Sequence, residues 1–262
     1  MFNRIGVFRQ VAYAGRTIKG KNMSTYGQYC PLALAAEIFC ERWNVLIIRR
    51  IIEGSYRFND IHKGVPKITA TLLSRRLRDL EHAEIITRTP LDRGPGYAYR
   101  LTAAGEELAP IIQSLAYWGQ AWGRDMVIDD LDPDFLLWQM HGRLNKSILP
   151  PGRTVIALEF TGGTQGSQRF WLIATADEVD MCLKHPGHEA DLTIMSDLRL
   201  FVECWRGIRD IRQELSQGAI RTEGTSDLVR LLPDLLLLSA AAPVKRQRCG
   251  VERDLAQGKP SE

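Results

Sequence analysis

The sequence has no apolar run near the ~18 residues that a membrane-spanning helix needs, because Pro233 and Asp234 interrupt its most leucine-rich stretch, 231–238. Its five cysteines are odd in number and include no Cys-x-x-Cys pair, which argues against a disulfide framework and against a zinc site. Reduced thiols are typical of a cytosol, so we expect a cytoplasmic protein without a membrane partner.

Sequence motifs of common enzymes are missing as well. The chain contains no G-x-S-x-G, no P-loop and no G-x-G-x-x-G. His185 and His188 could place two imidazoles on one metal, but no third ligand stands at a suitable spacing, and the same residues make an ordinary polar turn. We therefore predict no enzyme, no metal site and no cofactor.

Charge is distributed unevenly along a composition of 45% hydrophobic and 25% charged residues, which is typical of a globular protein. Residues 1–29 carry five Lys or Arg and no acid, residues 30–124 carry 13 bases and 10 acids, and residues 125–262 carry 16 bases and 21 acids. A polyanionic partner would therefore meet the first half of the chain.

The stretch 67–101 predicts a helix followed by a hairpin. Leu73, Leu77 and Leu80 fall on one helical stripe, Thr69 precedes it as a plausible N-cap, and the opposite face is polar. Residues 85–88 and 97–101 are rich in β-branched and aromatic residues, with a turn at 90–96 between them. The polar face taken alone favours an ordinary solvated surface.

The order of elements favours a winged helix-turn-helix, because residues 58–63 form a short helical candidate ended by Gly64 and Pro66. The second helix of such a motif commonly enters the major groove, so double-stranded DNA is the predicted partner. The predicted DNA-binding residues are Lys67, Thr69, Thr71, Ser74, Arg75, Arg78 and, on the wing, Arg93.

Three further helices are predicted around this motif. Those at 32–40 and 43–52 have apolar residues, among them Leu34 and Leu46, that we expect in the core. The third, 102–124, is expected to be kinked at Pro110. Its apolar side, which is either core or a dimer seam, contains Ile111, Leu115, Trp118 and Trp122. We favour the seam and hence a homodimer, because helix-turn-helix proteins often read two half-sites.

Several ordered blocks carry a family resemblance: Cys30-Pro31, Glu41-Arg42-Trp43, Arg57 to Ile61, Leu72 to Leu80, Tyr97 to Gly105 and Trp118-Gly119. In order and spacing they resemble the HxlR-type bacterial transcriptional regulators over about residues 30–124. The resemblance implies a DNA-binding regulator. It also raises a redox-sensing role for Cys30, since some similar regulators use a cysteine there; the alternative is a small buried apolar residue.

The second half predicts an α+β domain. Five short strands are expected at 154–160, 168–175, 180–184, 191–196 and 219–223, with helices at 135–144, 197–206 and 228–238. The blocks Ala190 to Asp197 and Gln217 to Gly224 resemble the sterol-carrier-protein domain over about residues 132–239. This resemblance implies a lipid-binding fold.

Aromatic and methionine residues are abundant in this half, and they either fill the core or line a pocket for an apolar small molecule. They are Phe160, Phe170, Trp171, Met181, Met195, Phe201 and Trp205. The expected fold class is thus α+β: a winged helix-turn-helix domain (29–124), a linker (125–132) and a five-stranded-sheet domain (133–239). Residues 1–28 are expected to be a disordered or mis-started extension, and residues 240–262 a disordered tail.

The sequence as a whole predicts a dimeric transcriptional regulator whose second domain binds an apolar ligand and modulates DNA binding. Two alternatives remain at this stage. One is a carrier of lipid-like molecules, and the other is a thiol-based sensor acting through Cys30.

Overall fold

A computed structural model of the chain describes residues 25–92, 94–163 and 166–248. The elements of the first part are α1 (Pro31–Phe39), α2 (Asn44–Ile52), α3 (Phe58–Lys63), α4 (Ala70–His82), β1 (Ile86–Pro90), β2 (Tyr97–Leu101), α5 (Ala103–Glu107) and α6 (Ala109–Trp122). Those of the second part are α7 (Pro133–His141), β3 (Thr154–Gly163), β4 (Gly166–Ala174), β5 (Val179–Cys182), β6 (Leu192–Asp197), α8 (Leu198–Trp205), α9 (Ile211–Ser216), β7 (Arg221–Gly224) and α10 (Ser226–Leu235). Short 3-10 turns lie at Ile128–Asp130 and Lys146–Ile148.

The first part is a winged helix-turn-helix, as the order of elements predicted. Helices α3 and α4 are joined by the turn at Gly64, and the antiparallel hairpin β1–β2 follows in a register that pairs Ile86 with Leu101. Thr69 is confirmed as the N-cap of α4, because its side chain accepts a hydrogen bond from the backbone N–H of Leu72. The apolar faces of α2, α3 and α4 meet in one core that includes Ile47, Ile48, Ile61, Leu73, Leu77 and Leu80.

The predicted helix at 102–124 is two helices rather than one kinked helix. Thr102 caps α5 by accepting from the backbone N–H of Gly105, and α5 ends at Glu107. Pro110 then stands in the first turn of α6, where a missing N–H costs nothing because the first backbone donors of a helix have no partner within it. The chain therefore starts a new helix at the proline instead of bending an existing one.

The second part is an α+β domain built on a five-stranded sheet of order β5-β4-β3-β6-β7. Strands β3 and β6 are parallel, and the other neighbours are antiparallel. Residues alternate across the sheet, so Ile156, Leu158 and Phe160 share one face of β3. This face packs against α7, α8 and α10 in a core whose members include Leu137, Met140, Phe201, Leu228 and Leu232.

Two expectations fail in these regions. Leu34 and Leu46, expected in the core, are 51% and 45% exposed, because α1 and α2 turn these residues away from the core helices. Residues 240–248, expected to belong to a disordered tail, instead contact the folded protein: Ala242 lies against Gly207, and residues 246–248 lie at the end of α6. There the backbone N–H of Gln247 donates to the carbonyl of Ala121 at 2.9 Å, and the guanidinium of Arg246 contacts the Asp125 carboxylate. These hydrogen bonds satisfy carbonyl and carboxylate groups at the helix C-terminus.

The expectations on residues 1–24 and 249–262 lie outside the described residues. Within the described ranges, no helix combines the length and the apolar character that crossing a bilayer requires.

Candidate nucleic-acid interface

Helix α4 turns its polar face away from the protein. Leu73, Leu77 and Leu80 are at most 1% exposed, and they fix the rotation of the helix about its own axis. Four of the residues predicted to contact DNA lie on the opposite, exposed face: Thr71, Ser74, Arg75 and Arg78. The face begins in the first turn of the helix, which is the end that reaches base edges when a recognition helix lies in the major groove.

Neighbouring arginines on α4 have different surroundings. Arg76 is only 12% exposed, and its guanidinium is held by Glu41 at 2.6 Å and Asp79 at 3.5 Å. Arg75 is 46% exposed, and its nearest acid, Asp79, stands 4.0 Å from its Nε. A partly buried ion pair fixes Arg76 as a link between α4 and the turn after α1, whereas Arg75 keeps donors for an external acceptor.

The residues predicted before α4 have mixed positions. Thr69 is exposed but uses its hydroxyl oxygen to cap the helix at 3.3 Å from the Leu72 nitrogen. Lys67 is exposed and donates its ammonium to the backbone carbonyl of Asp129, which belongs to the predicted linker. Arg93, predicted at the tip of the wing, lies outside the described residues.

Three exposed arginines around the wing were missed by the sequence reading. Arg57 and Arg100 both lie over the ring of Tyr56, at 5.7 and 5.8 Å from its centroid, and Arg88 lies 4.8 Å over Tyr97. Arg57 is brought there by an isolated antiparallel bridge to Ala98, which adds one residue pair to the hairpin. Arg88 and Arg100 lie within the two strands predicted for the wing, so these two could have been included as basic residues of the wing.

Helix α6 carries the predicted seam on its outer side. All four members are exposed: Ile111 by 53%, Leu115 by 44%, Trp118 by 61% and Trp122 by 50%. Ile112, one residue from the stripe, is buried in the winged-helix core. A continuous apolar stripe with this exposure on one helix is typical of a protein interface.

Cys30 is exposed at the N-cap position of α1, directly before Pro31. Its side chain makes no capping hydrogen bond to α1. The alternative of a small buried apolar residue therefore does not describe it.

The residues predicted to line a ligand pocket are mostly core residues. Phe160 packs against Phe201 and Phe170, with ring centroids 5.2 and 6.3 Å away respectively, and Phe160 and Phe201 are each 1% exposed. Trp171 lies on the opposite face of the sheet against His185, and Met195 is half-buried beside Glu159 in the strand register. The structure thus does not bring the seven residues into one pocket; Met181 and Trp205 instead line separate clefts at the boundary between the two domains.

That boundary meets the helix-turn-helix at Arg50, a charged residue of α2 that is 4% exposed. Its guanidinium pairs with Glu53 at 2.7 Å and, with the Gln139 amide turned to place its oxygen inward, donates to Gln139 at 2.8 Å. Burial is the main cause that lowers the pKa of Arg50 to about 10, with Glu53 opposing this effect. A Cβ on Gly64 would meet both the Arg50 stem and the Trp138 indole, so the turn before α4 is packed directly against α7.

Similarity to known proteins follows the winged helix. The sequence profile described as HxlR-like helix-turn-helix matches residues 38–126. The HTH-type transcriptional regulator YvaP of Bacillus subtilis is 32% identical over 111 residues, which are 42% of this chain and 95% of YvaP. An HTH-type transcriptional regulator of Methanothermobacter thermautotrophicus is 31% identical, with 40% of this chain and 80% of that protein covered.

Among solved structures, the reduced form of the regulator YodB from B. subtilis is 33% identical over 36% of this chain and 95% of that one, with a TM-score of 0.32. The matched relatives are named as transcriptional regulators and not as enzymes. Helix-turn-helix, wing and sequence similarity agree over the same residues, and the chain belongs to the HxlR-like helix-turn-helix family of transcriptional regulators.

Proposed function

We propose that this chain is a cytoplasmic, dimeric regulator that binds double-stranded DNA with α4 in the major groove. The observation that carries the proposal is the exposed face of α4, where Thr71, Ser74, Arg75 and Arg78 stand together. Hydroxyl and guanidinium groups are the donors that read guanine and other base edges, and Arg57, Arg88 and Arg100 surround the wing for phosphate contacts. Arg93 extends the same proposal to the tip of the wing.

The test is a comparison of duplexes. A duplex from the promoter of the protein's own gene is expected to bind about 1000-fold more tightly than an unrelated duplex of equal length at the same salt concentration. Equal affinity for both duplexes would overturn the regulator assignment, since sequence-independent binding is only electrostatic.

Dimerisation through α6 is the second part of the proposal. It is supported by the exposed stripe of Ile111, Leu115, Trp118 and Trp122, whose burial against a second copy would remove large aromatic surfaces from water. A twofold dimer would place two copies of α4 on two half-sites. The exposed Leu34 and Leu46 are further surface that such a partner could cover.

The second domain, residues 133–239 after the linker 125–132, is proposed to be a sterol-carrier-like regulatory module. Its support is its contact with the DNA-binding motif: α7 packs on the turn between α3 and α4, and Lys63 lies 5.7 Å over the Trp138 ring. Lys67, just before α4, is bonded to Asp129. Any shift of α7 would therefore move the start of the proposed recognition helix.

Trp138→Ala tests this coupling. Loss of the indole is expected to change DNA affinity at least threefold in either direction, although Trp138 is on the other domain. Trp171→Phe, which alters a tryptophan of the same domain away from α7, is the control and should leave DNA affinity unchanged. Identical DNA binding by both variants and the wild type would count against a regulatory module.

Thiol sensing at Cys30 is a second candidate, favoured by the exposure of Cys30 at the start of α1. Hydrogen peroxide oxidises a single thiol to a sulfenic acid and is itself reduced to water. Treatment with it is expected to lower the DNA affinity of the wild type and to leave Cys30→Ser unaffected, while Cys40→Ser, which changes the other exposed cysteine of this region, should respond like the wild type. The carrier function is not proposed, because Phe160, Phe170 and Phe201 pack as a core.

A further inference from the structure

A cleft of about 390 Å³ lies between the two domains, at the back of α6. Its walls come from α2, α6, α7 and α8, and its apolar surface includes Ile112, Ala116, Leu136, Val202 and Trp205. Ligand pockets commonly have ~300–1000 Å³ and mainly apolar walls with few polar groups. The cleft has the size and the lining of a small-molecule site.

Space inside the cleft is left open by Gly119. This residue is in the interior of α6, where glycine costs about 1 kcal/mol relative to alanine, yet a Cβ there would meet no described atom within 4 Å. Packing within the described chain thus gives no reason for a glycine at this position. A side chain added at Gly119 would project into the cleft that this residue lines.

The charged residues around the cleft differ in their hydrogen-bond and ion-pair partners. Each of the three carboxylates that line it has a partner close to it in sequence: Glu53 pairs with Arg49 and Arg50, Asp130 pairs with Arg124, and Asp132 caps α7. The hydrogen bond from Arg124 is the main cause that lowers the pKa of Asp130 to about 2, so this group is ionised at neutral pH.

Arg206, in contrast, contacts a neutral group. Its Nε and Nη2 donate to Oε1 of Gln120 at 3.1 and 2.8 Å, and Gln120 returns a bond from Nε2 to the Arg206 carbonyl at 3.0 Å. Burial is the main cause that lowers the pKa of Arg206, and Arg246 acts in the same direction, while Asp125 and Glu203 oppose them. Both hydrogen bonds described for the guanidinium go to a neutral amide, so an acidic group at this end of the cleft would add a direct ion pair.

We propose that the cleft binds a small amphipathic organic anion, with the acid on Arg206 and the apolar body along Ile112, Ala116 and Trp205 towards Gly119. An effect of this ligand on DNA binding rests on the proposed function. The cleft lies between α2, which carries Arg50, and α6. On α6 the cleft residues and the exposed stripe occupy different sides of the helix, so a bound ligand would contact the back of the proposed dimer helix.

Two fluorescent probes that differ by one acid test the site in the full-length protein without DNA. The probes are 8-anilinonaphthalene-1-sulfonate and its uncharged counterpart N-phenyl-1-naphthylamine. The wild type is expected to bind the sulfonate about tenfold more tightly than the neutral amine. Arg206→Gln should remove this preference, because loss of the positive charge weakens binding of the sulfonate more than binding of the neutral amine.

Gly119→Leu is the second variant and is expected to weaken both probes at least tenfold by filling the cleft. Leucine favours the helix over glycine, so the fold should be retained, and Gly119→Ala is the matched control that should bind both probes within about twofold of the wild type. Unchanged binding of both probes by Gly119→Leu would overturn the site. Unchanged preference for the sulfonate in Arg206→Gln would overturn the ligand class.

Light scattering on Gly119→Leu distinguishes a ligand-binding cleft from a surface that contacts a second copy of the chain. The variant is expected to keep the mass of the wild type, and a change of oligomeric state would overturn the proposal by assigning the open space to a second copy. DNA titration of the wild type with and without the sulfonate probe is a separate measurement. Probe binding without any effect on DNA would keep the site and reject only its regulatory role.

Discussion

The polar face of α4 and the aromatic cluster of the second domain were both predicted as binding surfaces, and the structure places them very differently. Thr71, Ser74, Arg75 and Arg78 are exposed together on one side of α4. Phe170 and Phe201 pack against Phe160 in the core between the sheet and the helices. One surface is available to a partner, and the other is the interior of a domain.

This difference has a physical cause. An amphipathic helix has a single face for its apolar residues, so its periodicity also locates the face that solvent or a partner can reach. A high content of apolar residues does not locate a surface in this way, because the same side chains can fill a core or line a pocket. In this chain the cleft with pocket character lies between the domains, where residues distant in sequence meet.

The largest expected effect tests the core side of the comparison. Phe201→Ala removes a 1% exposed ring from contact with Phe160, and such substitutions cost about 3–5 kcal/mol in the free energy of unfolding. Met195→Ala, half-buried on the other face of the sheet, should cost about 1 kcal/mol or less. Urea denaturation of both variants gives these values. A loss below about 1 kcal/mol for Phe201→Ala would show that the ring borders empty space.

The next effect concerns the exposed stripe of α6. Trp118→Glu places a charge at its most exposed member and is expected to weaken dimerisation by about 2 kcal/mol or more, enough to give monomers at micromolar concentration. Ser114→Ala is the control, since its hydroxyl is exposed on the same helix and bonds only the Pro110 carbonyl. Light scattering measures the masses, and a wild-type protein that is already monomeric would exclude the seam.

The next prediction concerns Arg75 on the exposed polar face of α4. Arg75→Ala is expected to cost about 1–3 kcal/mol in binding to the specific duplex and to relax specificity at one base pair, because a guanidinium reads a base edge there. Arg230→Ala removes an exposed arginine of the second domain and should have no such effect. Equal losses on specific and random duplexes would show that Arg75 contacts only phosphate, which is the behaviour expected of Arg93→Ala.

Much of the winged helix could be predicted from local pattern. The stripe of Leu73, Leu77 and Leu80, the cap at Thr69 and the turn chemistry around Gly64 act over a few residues, and each was found. The anchoring of Arg76 could not be found in this way, because its partner Glu41 is 35 positions away in sequence, in the turn after α1. For the same reason the Arg57 contribution to the wing was missed.

The second domain shows where such prediction ends. Strand positions were predicted to within a few residues, since alternation and turn residues are local, but the parallel pairing of β3 with β6 and the docking of α7 on the helix-turn-helix depend on tertiary contacts. The break before α6 was predicted as a kink because a proline inside a helical pattern and a proline opening a new helix look alike in sequence.

The smallest expected effect is a pH dependence at the boundary between the two compared regions. His141 ends α7, its ring lies 4.2 Å from the Trp138 ring, and Nδ1 is close to the Trp138 carbonyl. Burial is the main cause that lowers the pKa of His141 below its ordinary value, and Lys63 acts in the same direction; the Trp138 carbonyl, Asp60 and Asp180 oppose them. As pH falls below about 6.5, the unfolded chain therefore takes up the proton first.

The contribution of His141 to stability should then be complete above pH ~6.5 and be lost progressively as pH falls through the lowered pKa of the folded protein. His141→Phe keeps an aromatic ring beside Trp138 but cannot be protonated. Urea midpoints measured from pH 8 to pH 5 should therefore fall less steeply for the variant than for the wild type. The difference between the two slopes isolates His141, because the two proteins differ at this position alone. Parallel slopes of urea midpoint against pH would mean that His141 takes up its proton as readily in the folded protein as in the unfolded chain. Burial of His141 between α7 and the helix-turn-helix would then not lower its pKa.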